Sequence, residues 1–208
     1  MSSRTVAATV LGLALLPAAA GLAAASRFEP AAGCDFRRAR WGMAPDEVRG
    51  VEAGPPAIVE SSLLGWQRTL GGQPCTVTYL FLEDRLCMGV FQFSNTHARL
   101  SPYFDDAATF RDELTALHGE PHLEKWRWAD DVFANDRALW GEALGFGLVH
   151  YELGWAAGQS LVAMRMSGGN AQADIVVLMA DLRCFAESRR AFADFFAEKV
   201  GLPSPYFR

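Results

Sequence analysis

The sequence predicts an α+β fold in which two helix-plus-antiparallel-meander units pack as a layered sandwich with a C-terminal helix. Two observations carry this. Amphipathic helical stretches at residues 44–53 and 105–117 both end at a glycine–proline stop, Gly54-Pro55-Pro56 and Gly119-Glu120-Pro121. Each stop is followed by short runs of strand-type alternation separated by turn residues. A meander with one apolar face must be covered, and a helix laid across it is the simplest cover. The two units form a pseudo-repeat, residues 36–100 and 101–180, within one domain of residues 36–208.

In chain order, residues 26–35 read as a loose leader and 36–41 as a short strand. The first helix has Pro45 in its first turn, Asp46 and Glu47 near its positive end, and Val48 and Val51 facing inward. Strands follow at 65–70, 75–82 and 85–93, where Val77, Tyr79 and Phe81 alternate with Thr76, Thr78 and Leu80. The second helix presents Phe110, Leu114 and Leu117 as its apolar stripe. Strands resume at 123–128, 139–145, 147–155 and 160–166, and Ser167-Gly168-Gly169-Asn170 makes a turn. Residues 173–180 read as a strand, although Ile175, Leu178, Met179 and Leu182 also fit helical spacing. The closing helix covers residues 186–200, with Phe192, Phe195 and Phe196 inward and Gly201 and Pro203 as its stop.

Of 208 residues, 50% are hydrophobic and 21% charged, with a formal net charge of -5. Such a composition excludes a disordered chain and a multi-spanning membrane protein. An acidic balance without a basic cluster excludes nucleic acid as a partner. Residues 1–25 carry a single charge, Arg4, then an apolar run from Val6 to Leu16, the breakers Pro17 and Gly21, and Ala23-Ala24-Ala25 before Ser26. This is the layout of a signal peptide cleaved after Ala25, which places the protein in the periplasm or outside the cell. The alternative is a retained N-terminal membrane anchor; the mature chain itself has no segment for stable membrane insertion. Arg27 and Glu29 separate the apolar run from Cys34, which argues against lipidation of that cysteine.

Export makes disulfides the expected state of Cys34, Cys75, Cys87 and Cys184. A hairpin turning at Glu83-Asp84 sets Cys75 opposite Gln92 and Cys87 opposite Leu80, too far apart to bond one another. Two pairings remain: Cys34–Cys75 with Cys87–Cys184, or Cys34–Cys87 with Cys75–Cys184.

The stretch Trp41-Gly42-Met43-Ala44-Pro45-Asp46-Glu47-Val48, followed by Gly54-Pro55-Pro56, resembles the start of SmpA/OmlA-like (BamE-like) bacterial envelope modules. The tandem helix-plus-meander plan is similar to the β-lactamase-inhibitor-protein fold. The resemblance implies a non-catalytic periplasmic module that binds other proteins. The chain departs from the envelope lipoproteins in lacking a well-placed lipidation cysteine and in its extra terminal helix.

Catalytic signatures are missing. His118 and His122 are four apart, but Gly119 and Pro121 between them end the helix that would bring two imidazoles onto one face, and H-E-x-x-H is absent. His118 reads as a helix-terminal residue, and His97 and His150 stand isolated. Gly158-Gln159-Ser160 is only half of a nucleophile elbow. Asp105-Asp106 and Asp130-Asp131 read as a helix start and a solvated loop, and neither continues into a calcium loop. No cofactor or metal is expected. The aromatic residues are the strongest feature: Trp126 and Trp128, two apart in a strand, share one face, and Trp66, Trp140 and Trp155 lie in or beside other strands. They read as core, or as an exposed platform at Trp126, Trp128, His150 and Trp155. The expectation is an exported protein-interaction module whose partner is an envelope protein. The alternative is a small-ligand or glycan-binding protein, or a hydrolase, using a cleft near Trp126, Trp128 and His150.

Overall fold

A computed structural model describes residues 26–94 and 96–187. The elements run α1 (Pro45–Val51), β1 (Ile58–Glu60), β2 (Leu63–Leu70), β3 (Gln73–Leu82), β4 (Arg85–Ser94) and α2 (Pro102–His118). Then come β5 (Leu123–Trp128), α3 (Asp131–Asn135), a 3-10 turn (Arg137–Leu139) and α4 (Trp140–Gly145). The chain continues through β6 (Val149–Ala157), β7 (Ser160–Gly169), β8 (Gln172–Asp181) and α5 (Leu182–Glu187). The fold is α+β, with all eight strands in one antiparallel sheet of order β1-β2-β3-β4-β8-β7-β6-β5. The signal peptide expected at 1–25 and the closing helix expected through residue 200 lie outside the described residues, apart from the α5 turn.

The main core lies on one face of the sheet. There α1 contributes Val48, α2 contributes Tyr103, Phe104, Phe110 and Leu114, and α4 contributes Ala143 and Leu144. α2 is capped by Gly119 (φ 81°), and Gly54 (φ 72°) stands three residues past Val51, the last residue of α1; both adopt a conformation that costs other residues strain. Both glycine carbonyls accept a hydrogen bond from a buried strand tryptophan: Trp66 Nε1 donates to Gly54 at 3.0 Å and Trp155 Nε1 to Gly119 at 2.9 Å. The helix ends are thereby locked to β2 and β6.

Several local expectations are corrected. The leader is not loose: Phe28 is buried edge-on against Phe91, Phe93 and Phe110, and Arg27 pairs with Glu113 of α2 at 2.8 Å. Residues 36–41 form a turn closed by the Phe36–Ala39 bridge, not a strand. Residues 139–145 are helical, not a strand: they continue from α3 and the 3-10 turn, which Asp130 and Asp136 start by accepting the backbone N–H of Val132 and Ala138. Residues 173–180 are a strand, within β8.

The β3–β4 hairpin turns at Glu83 and Asp84, both at positive φ, and pairs Leu82 with Arg85 and Phe81 with Leu86 as expected. A bulge then inserts Cys87, so that Leu80 faces Met88 and Thr76 faces Gln92. Cys87 joins the cluster on the second face of the sheet, where it is bonded to Cys184 with Cα atoms 6.0 Å apart. The expected second bridge is absent: Cys34 and Cys75 are free thiols. Cys75 is inside the helix-covered core, with Sγ directed to the Thr76 carbonyl, and burial pushes its pKa up to about 12.

Phe36 is fully buried and lies on the backbone of β4 at Gly89, where a Cβ would overlap its ring. Gly89→Ala is therefore expected to displace Phe36 from its contacts with Tyr79 and Phe91 and to cost about 1–3 kcal/mol. A fall in Tm or in the denaturant midpoint, with no change in secondary structure, checks this.

Candidate functional site

β5 is at the end of the sheet and pairs, among the described residues, with β6 alone. Its side chains alternate. Trp126 and Trp128 stand opposite Tyr151 and Val149 on the helix-covered face, and Lys125 and Arg127 stand opposite Glu152 and His150 on the other. Because no further strand among the described residues lies outside β5, its tryptophans are only partly enclosed, and Trp126 is 38% exposed.

The rings form a continuous ladder. Trp126 stacks on Tyr151 with centroids 3.9 Å apart and planes 14° from parallel, and on Phe104 of α2 at 6.0 Å and 3°. Trp128 stacks on Trp126 at 6.0 Å, and Trp140 of α4 lies 5.5 Å from Trp128 and 5.0 Å from Phe104. Offset stacks of this kind are each worth about 0.5–1.5 kcal/mol beyond burial, so the exposed ring is held rigid. Arg137 covers Trp140 at 5.4 Å. Val132 of α3 and Phe146, the residue just past α4, are also exposed. Beneath the ladder, Tyr151 donates to Glu124 at 2.6 Å, and Arg111 of α2 pairs with the same carboxylate at 3.2 Å. Burial and that carboxylate raise the Tyr151 pKa, so the phenol keeps its proton and the hydrogen bond.

Of the residues singled out from sequence, Trp126 and Trp128 meet at this edge. His150 projects from the opposite face, beside the Arg127–Glu152 ion pair, and Trp155 is 1% exposed inside the core. Sequence reasoning missed Phe104, Trp140 and Tyr151. Trp140 was hidden by reading its helix as a strand, and the signal that could have revealed it is the pair of capping residues Asp130 and Asp136.

The densest buried polar cluster is elsewhere. Glu52, just past α1, accepts from Arg37 at 2.9 Å, from Arg68 at 3.2 Å and from the Tyr79 hydroxyl. Every oxygen of this carboxylate is engaged, so the cluster fixes structure and leaves no lone pair for catalysis. Burial alone would raise the Glu52 pKa, but the hydrogen bonds from Arg37, Tyr79 and Arg68 and the Arg37 charge outweigh it and hold the carboxyl below its usual range. His118 ends α2 half-buried, and desolvation lowers its pKa and favours the neutral ring. His122 belongs to the next segment, its N–H donating to the Gly154 carbonyl. Among the described residues, no group of three or more His, Cys, Asp or Glu side chains is placed to hold a metal ion. No described helix is long and apolar enough to cross a membrane.

Compared with protein-family models, curated proteins and solved structures, the chain matches none.

Because the folded Glu52 pKa is depressed, its stabilising contribution is complete above the unfolded carboxylate value and is lost as pH falls through the folded one. Glu52→Gln leaves two arginines short of a buried partner and should cost about 3–5 kcal/mol at neutral pH. The gap in Tm between the two proteins should narrow as pH is lowered below about 4.5, the ordinary glutamate range. A gap independent of pH would contradict this assignment.

Proposed function

We propose that this is an exported, non-catalytic protein-binding module that docks an envelope protein on the β5 edge of its sheet. The observation that carries the reading is the rigid aromatic ladder at an edge strand, with Trp126 partly exposed at its centre. Exposed tryptophan beside tyrosine and arginine is the composition of binding hot spots. An edge strand also offers unpaired backbone N–H and C=O groups to an extended segment of a partner. Such a segment would set alternate side chains against Trp126 and Trp128 on one face and Lys125 and Arg127 on the other. Its chemistry would be apolar residues alternating with acidic ones.

Two further features support the tandem envelope-module reading. Both helix stops carry the same device, a positive-φ glycine whose carbonyl is held by a buried strand tryptophan. The sheet order also places two four-stranded meanders back to back, β1–β4 and β5–β8. The Cys87–Cys184 bond suits an oxidising compartment, in keeping with the signal-like residues 1–25. A glycan site is favoured less, because sugar stacking needs an open indole face and Tyr151 occupies one face of Trp126 at 3.9 Å.

Cross-linking in envelope extract should capture a specific protein partner. Trp126→Ala should weaken that capture by about 2 kcal/mol, roughly 30-fold in affinity. Equal capture by the variant, or saturable binding of an oligosaccharide with no protein partner, would sink the proposal.

A further inference from the structure

Antiparallel strands exchange backbone hydrogen bonds at every second residue pair, so the register of β5 on β6 fixes which backbone groups are used. The Ala129 N–H donates to the Leu148 carbonyl at 2.8 Å, one step beyond the Trp128–Val149 pair. Counting back by twos, Arg127–His150 and Lys125–Glu152 are bonded pairs as well. Trp128–Val149, Trp126–Tyr151 and Glu124–Leu153 are the unbonded pairs between them. The 3.9 Å stack of Trp126 on Tyr151 agrees, because side chains approach most closely at unbonded pairs. The N–H and C=O groups of Glu124, Trp126 and Trp128 therefore point away from β6, out of the sheet. Among the described residues β5 has no other strand beside it, which leaves those groups open.

A segment added here bonds opposite Glu124, Trp126 and Trp128, and its intervening residues sit opposite Lys125 and Arg127. Those intervening pairs are unbonded, with Cα atoms about 4.5 Å apart, so charge is read there at close range. Both cations are exposed. One carboxylate serves the two of them: Glu152 stands opposite Lys125 and bonds Arg127 at 3.0 Å. Arg127 itself faces His150, so the cations have one negative charge between them. A second copy of this chain fits badly. With two β5 strands antiparallel, the registers that bond more than one residue pair centre on Lys125, Trp126 or Arg127. They set Lys125 against Lys125, Lys125 against Arg127, or Arg127 against Arg127. Each opposes like charges, which is destabilising.

Resting on the reading of β5 as the binding edge, we propose that it takes up one extended, acidic segment of a partner protein. The segment bonds the backbone of Glu124, Trp126 and Trp128 and sets acidic side chains opposite Lys125 and Arg127. Its alternate apolar residues meet the ring ladder. The same two cations turn away a second copy of the chain.

Amide hydrogen exchange on the full-length chain tests this residue by residue. In the free protein the amides of Lys125 and Arg127 should be protected and those of Glu124, Trp126 and Trp128 should exchange fast. Uniform protection would mean that other backbone already covers the edge, and would overturn the proposal. The peptide Thr-Val-Glu-Val-Glu-Val-Thr, at millimolar concentration, should slow the three fast amides. Its counterpart with lysine for glutamate should bind about tenfold more weakly. Equal binding of the two peptides, or of neither, would also overturn the proposal. Lys125→Glu supplies a second measurement, since it sets a carboxylate opposite Arg127 of a second copy in the register centred on Trp126. That variant should dimerise at millimolar concentration with the same three amides protected, while the unaltered chain stays monomeric. A variant that remains monomeric, or an unaltered chain that dimerises through β5, would count against the charge rule. Loss of capture on Trp126→Ala with no preference between the peptides keeps the docking reading and removes this one. Preference for the acidic peptide with capture unchanged by Trp126→Ala does the reverse.

Discussion

β4 and β8 are the last strands of their meanders, and they pair with each other from Met88 opposite Ala180 to Ser94 opposite Asp174. That ladder joins two four-stranded meanders into one sheet, and the central residues of β4 and β8 are buried on both faces. Phe91, Phe93, Ile175, Val177 and Met179 point to the helices, and Met88, Val90, Val176 and Leu178 point away from them. On the side opposite α1, α2 and α4, the Cys87–Cys184 bond belongs to the second cluster of buried residues. The bulge at Cys87 is part of the same solution. Without the extra residue, the alternation of β4 would not place Cys87 together with Met88 on the second face, where Cys184 meets it.

The same ladder explains which parts of the fold were legible in the sequence. The β3 strand alternates clearly, and the Glu83-Asp84 turn and the two glycine–proline stops follow from local chemistry. Residues 173–180 were ambiguous because a strand buried on both faces loses its polar alternation, and Ile175, Leu178 and Met179 then match helical spacing equally well. The bulge has no local marker, so the register was right next to the turn and one residue out beyond it. The leader looked loose because Phe28 and Arg27 acquire meaning only from partners far along the chain, Phe110 and Glu113. At the candidate site, Trp126 and Trp128 were visible from their spacing. Phe104, Trp140 and Tyr151 were not, since they reach the ladder from α2, α4 and β6.

Each half of the sheet carries a strand tyrosine bonded to a glutamate that also meets arginine. The two clusters do different work because of where they sit. Tyr79, Glu52, Arg37 and Arg68 are drawn from four segments around a buried carboxylate, a polar knot that is costly to break. Tyr151, Glu124 and Arg111 lie at the sheet margin, where water screens the charges and the ion pair adds little stability. What the marginal cluster does supply is position. The phenol is held by Glu124, and its ring face then sets the plane of Trp126.

Position also bears on the proposed binding, because the two ends of the strand order, β1 and β5, are built differently. β1 is three residues long, and its Ile58 is packed across Gly65 of β2, so it offers little continuous backbone to a further strand. β5 is six residues long, with its neighbour on one side only among the described residues. Lys125 and Arg127 give β5 the charged side chains that discourage indiscriminate edge pairing, yet both lie on the face away from the tryptophans. The edge is therefore guarded on one face and adhesive on the other. On the proposed binding reading, charge would reject most strands and the ring ladder would reward one whose apolar side chains match it, so an exposed edge could be selective without being sealed.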